Sequence, residues 1–184
     1  MALSDDLERI AVAAASFAAP GERVTGILAA EPLGAGVVYL CAYESEAGEH
    51  TWLGLDDAGV PVESRRLIHD AASLAALCEV ADETAGGGDL TELRATLADL
   101  REREAPEGIE DAEQAALALE QTLQPEPRIA STAYLDALGV ASRRLERSLG
   151  EDSGSPFAAA LQQAMPAVEA VAAEVERGYK GPLV

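Results

Sequence analysis

The sequence predicts an α+β fold: one helix, then a small antiparallel β-meander of three or four strands, then about five helices that include an antiparallel helical hairpin. Three observations predict it. β-Branched and aromatic residues gather in short, turn-bounded runs between Arg23 and Asp56. Beyond Ser64, apolar residues recur at three- and four-residue steps. Clusters of proline and glycine separate the segments, as at Pro20-Gly21 and Gly86-Gly87-Gly88.

The first helix is expected from about Ser4 to Ala18. Leu3, Leu7, Ile10, Ala14 and Phe17 form one apolar stripe, and Asp5, Asp6 and Glu8 sit near the end where the helix dipole favours negative charge. Three strands follow, at Arg23–Ala30, Gly36–Tyr43 and His50–Asp56, with Val60–Val62 a candidate for a fourth. In the second strand both alternating sets, Val37/Tyr39/Cys41/Tyr43 and Val38/Leu40/Ala42, are largely apolar. A strand covered on both faces belongs in the middle of its sheet.

The helical part begins at about Ser64 and its first helix reaches Thr84, burying Leu67, Ala71, Leu74, Cys78 and Ala81. The next two, about Leu90–Arg103 and Gly108–Leu123, carry heptad-like seams joined by a short loop, the pattern of an antiparallel hairpin. Asp89 is the expected N-cap of the first of this pair. Pro125 and Pro127 enforce an extended connector. A helix at about Thr132–Leu149 follows. A last one opens at Ser155-Pro156, a capping residue with proline at the first helical position, and runs to about Arg177, kinked or split by Pro166. No linker separates residues 1–62 (helix and meander) from 63–184 (helices), so one domain spanning 1–184 is expected.

Composition narrows function more than any motif does. The 184 residues carry 33 acidic and 13 basic side chains, a net charge of -20. Such a field repels nucleic acids and anionic membranes. Self-repulsion also predicts that moderate salt raises the melting temperature at neutral pH, because screening acts on exposed like charges. A melting temperature flat or falling with salt would contradict this. Alanine is abundant, whereas there are two Phe, four Tyr and one Trp, so closely packed helices are expected instead of an aromatic core. Lys180 is the sole lysine and asparagine is absent, biases that GC-rich codon usage or salt adaptation also produce. Cys41 and Cys78 are too few for a disulfide framework or a four-cysteine zinc site, and buried reduced thiols are favoured over a Cys41–Cys78 bridge. No cationic leader precedes the apolar run Ile10–Ala19, which is too short to span a bilayer, so a cytoplasmic location is expected.

The residues that could carry chemistry are sparse. His50 and His69 have no nucleophile at a recognisable spacing, and no G-x-S-x-G is present. Glu79, Asp82 and Glu83 share a helical face but lack the Glu-x-x-His pattern of a di-iron bundle. Gly86-Gly87-Gly88 lacks the lysine and hydroxyl of a P-loop. The sequence therefore argues against an enzyme, and no catalytic residue, metal site or cofactor is assigned. Arg65 and Arg66 stand near a helix start, where the dipole disfavours them, so a carboxylate or an anionic ligand is expected opposite. A ligand pocket, if formed, is placed between the sheet and that helix, near Trp52, Arg65, Arg66 and His69. Arg143, Arg144 and Arg147 form one basic cluster, for which internal ion pairing is expected. The leading expectation is a non-enzymatic domain that binds a protein partner or a second copy of itself. The alternatives are a small-molecule or sensory domain and an acidic nucleic-acid mimic.

Overall fold

The computed structural model describes residues 3–86, 90–103, 108–123, 127–150 and 154–184. Six helices and four strands are formed among them: α1 (Leu3–Ser16), β1 (Glu22–Glu31), β2 (Val38–Ser45), β3 (His50–Leu55), α2 (Arg65–Gly86), α3 (Leu90–Arg103), α4 (Ile109–Thr122), β4 (Ile129–Ser131), α5 (Thr132–Ser148) and α6 (Pro156–Arg177). The expected stop at Gly87-Gly88, the N-cap Asp89, the loop at 104–107 and Pro125 lie outside the described residues. The chain divides into two compact units. Unit 1 comprises Met1–Ala76, Glu126–Thr132 and Pro166–Val184, and unit 2 comprises Leu77–Pro125 and Ala133–Met165.

Unit 1 is built on a sheet in the order β3-β2-β1-β4. The meander β1-β2-β3 is antiparallel, as its alternating runs and tight turns dictate. Gly48, at φ 78°, supplies the left-handed residue of the β2–β3 turn. The expectation of a purely antiparallel sheet is corrected: β4 pairs in parallel with Ala29–Glu31 of β1, so the sheet is mixed. A three-residue strand flanked by proline carries too little alternation to be told from an extended connector. Val60–Val62 forms no strand, only an isolated bridge from Pro61 to Leu55.

The doubly apolar β2 is an inner strand, with Val38, Tyr39, Leu40, Cys41 and Tyr43 all buried. One face of the sheet carries Tyr39, Cys41, Tyr43, Leu53 and Leu55, and packs with Ile10 and Ala14 of α1. The buried Tyr43 hydroxyl donates to the Ala14 carbonyl at 2.9 Å, satisfying a backbone acceptor in the last turn of α1. On the other face Ile68 of α2 lies against β3, so close that a Cβ built on Gly54 would stand 2.3 Å from Ile68 Cδ1. Ser64 Oγ caps α2 by accepting from Leu67 N–H at 3.3 Å.

Unit 2 contains the expected hairpin. Arg94 pairs with Glu120 at 2.8 Å and Arg101 with Glu113 at 2.7 Å, which fixes α3 and α4 as antiparallel. The buried face of α4 is Ile109, Ala112, Ala115, Ala116 and Leu119, mostly small, as the alanine content leads one to expect. Leu138 and Leu145 of α5 and Phe157 of α6 are buried as well. Ser155 Oγ accepts from Ala158 N–H at 3.3 Å as the N-cap of α6. Pro166 does not split α6, which is one helix through Arg177.

Candidate functional site

The four residues singled out in the sequence all fall in unit 1. Trp52 is half-buried in β3, and its backbone pairs with the segment after α6. Its N–H donates to the Gly178 carbonyl and its carbonyl accepts from Lys180 N–H, both at 2.9 Å. Arg65 and His69, one turn apart on α2, instead face carboxylates of α6. Arg65 Nη1 is 3.9 Å from Glu176, and His69 Nε2 is 3.2 Å from Glu169. Arg66 points to solvent, 3.6 Å from Asp70 on its own helix. The charge conflict at the start of α2 is thus met by carboxylates of the same unit. Glu169 and Glu176, seven residues apart and so on one helical face, were the legible complement.

Sequence reasoning missed a denser arrangement around the sole lysine. Lys180 Nζ donates to Glu22 Oε2 at 2.7 Å and to the Phe17 carbonyl just past α1 at 2.8 Å, and it stands 3.5 Å from the centroid of the Tyr43 ring. Both charged side chains are largely buried, Lys180 20% and Glu22 14% exposed. The Lys180 ammonium, aided by the Ala19 N–H, holds the Glu22 carboxyl below the usual carboxylate range. Thr51 Oγ1 also donates to Glu22 Oε1 at 3.2 Å. The signal available was the uniqueness of Lys180 in a chain whose other basic residues are arginine apart from two histidines.

Nearby groups are held in their neutral forms. Burial pushes the Cys41 thiol up to about 12 and raises the phenols of Tyr43 and Tyr179. A buried, protonated thiol packs as a small apolar side chain. Tyr179 accepts from Gly54 N–H at 3.2 Å and donates to the Val62 carbonyl, tying the segment after α6 to β3.

Glu22 also borders an open groove of about 510 Å³ at the end of the β1–β2 ladder, lined by Arg23, Glu44 and Glu46 with Gly21 and Gly48. Arg23 donates to Glu44 Oε2 through Nη2 at 2.6 Å and Nε at 3.2 Å, which lowers the Glu44 pKa. Glu46 lines the same groove with no ion pair among the described residues. Carboxylates here outnumber cations, so the groove suits a basic group.

Among the described residues, no group of three or more His, Cys, Asp or Glu is placed to hold a metal ion, and no helix is long and apolar enough to cross a membrane. In unit 2, Asp82 of the acidic trio on α2 instead accepts from the Tyr134 hydroxyl at 2.7 Å. Comparison with protein-family models, with curated proteins and with solved structures finds no match for this chain.

Proposed function

We propose that this chain is a non-enzymatic, cytoplasmic protein-interaction domain whose carboxylate-rich surface holds a lysine- or arginine-rich segment of a partner protein. One observation carries the reading. Most of the protein's own cations are drawn into local ion pairs, such as Arg23–Glu44, Arg65–Glu176, Arg101–Glu113 and Lys180–Glu22, leaving its large carboxylate surplus for partners. The groove beside Glu44 and Glu46 is the favoured point of contact, because it offers concavity together with negative charge.

Titration with an arginine-rich peptide and with a neutral peptide of equal length tests this. The basic peptide should bind with a steep salt dependence, and Glu44→Gln with Glu46→Gln should weaken it several-fold. The control pair Glu79→Gln with Glu83→Gln should leave binding unchanged. Equal affinity for both peptides would sink the reading, and equal losses in the two variant pairs would remove the groove from it.

A further inference from the structure

We propose that the chain associates with a second copy of itself by antiparallel packing of α1 of one copy on α5 of the other, with Val12 meeting Val140, Glu8 meeting Arg144 and Asp5 meeting Arg147. The starting point is an exception. Arg143, Arg144 and Arg147 are exposed on α5 and make no ion pair among the described residues, although internal pairing is expected from the sequence. The acidic residue between them is occupied elsewhere: Glu146 Oε1 accepts from Phe157 N–H at 3.0 Å and Ser155 Oγ at 3.1 Å. In a chain with 33 carboxylates and 13 cations, guanidinium groups with no ion pair among the described residues and on one helix face fit an acidic surface from outside.

The chain itself carries a face that fits. Val12 and Val140, at 75% and 59% exposed, are the two most exposed large apolar residues in the described helices. Each stands on a charged stripe. On α5, Val140 is followed by Arg144 and Arg147, four and seven residues on. On α1, Val12 is preceded by Glu8 and Asp5, four and seven residues back. Both carboxylates are exposed, with no ion pair among the described residues, while Arg9 takes Asp6 instead. Residues at these offsets share a helix face, and each stripe spans about 10 Å. Reversing one helix against the other therefore aligns valine with valine and carboxylate with guanidinium along two turns.

The net charge sets the salt response. Two copies at -20 each repel at low ionic strength. At physiological ionic strength that repulsion is screened beyond about 8 Å, while the contact pairs lie well inside this length. High salt weakens the contact pairs too. Association should therefore be strongest at intermediate salt. This proposal does not depend on a basic partner and can fail separately from it.

Sedimentation equilibrium of the full chain over a range of protein and salt concentrations tests it, with circular dichroism confirming that each variant folds. The wild type should associate, with an optimum at intermediate salt. Asp5→Arg with Glu8→Arg, and Arg144→Glu with Arg147→Glu, should each weaken association about tenfold or more. An equimolar mixture of the two variants should restore it, because the basic α1 of one then meets the acidic α5 of the other. Val140→Glu, at an exposed position, should weaken it without disturbing the fold. A wild type that stays monomeric at every salt concentration would overturn the proposal. So would charge variants that associate like the wild type, or a folded mixture that fails to recover association.

Discussion

Replacing Gly54 by alanine is expected to destabilise the protein by about 1–3 kcal/mol, although it adds only a methyl group. Gly54 sits in β3 beneath α2, and the new Cβ would stand 2.3 Å from Ile68 Cδ1 and 3.5 Å from Val38 Cγ1. Ile68 is fully buried, so its terminal methyl has no solvent to turn into. The Tyr179 hydroxyl would lie 3.6 Å away, and the Gly54 N–H that it accepts from would shift with the strand. Ile68→Val alone should cost about 0.5–1.5 kcal/mol, since it removes a buried methyl. It also removes the clashing atom. Urea unfolding of the double variant should therefore show less destabilisation than the sum of the two single changes. Strict additivity would mean that the contact between β3 and α2 is not as close as described.

Lys180→Met should destabilise by about 2 kcal/mol at neutral pH, the scale of a charge-assisted hydrogen bond in a largely buried setting. Methionine keeps most of the aliphatic stem over Tyr43 but removes the donor to Glu22 and to the Phe17 carbonyl. The pH dependence identifies the partner. Glu22 titrates below its ordinary value of 4.5 in the folded protein, chiefly because of Lys180. A carboxyl depressed by folding contributes stability that is complete above its unfolded pKa and is lost as pH falls through the folded one. The difference in urea midpoint between wild type and Lys180→Met should thus be constant near neutrality and shrink below about pH 4.5. A difference that persists unchanged in acid would show that the carbonyl and the ring, not Glu22, carry the effect.

Both predictions rest on features with unequal sequence signals. Ile68 is an apolar residue on the predicted core side of a helix, and Gly54 a small residue in a predicted strand. Nothing local says that the two meet. Lys180 stands out by being unique, yet its three contacts come from residues 17, 22 and 43, far away in the chain. The quartet Trp52, Arg65, Arg66 and His69 stands out in the sequence through the charge conflict at a helix start and the lone tryptophan. Glu176 and Asp70 meet the two arginines within unit 1, and Glu169 contacts His69. For the cluster Arg143, Arg144 and Arg147, Glu146, the acidic residue within it, caps α6 and forms no ion pair with it among the described residues.

By itself the sequence determined the helices, the meander, the hairpin and the repulsive charge. These follow from periodicity, turn residues and composition, which act over a few residues or on the whole chain at once. Only the tertiary structure decided that Ile129–Ser131 joins β1 in parallel and that Lys180 reaches Glu22 and Tyr43. It alone also left the α5 arginines without an ion pair among the described residues. Those outcomes depend on which distant groups arrive within about 3–4 Å of one another, a distance at which hydrogen bonds and ion pairs act and which no local pattern encodes.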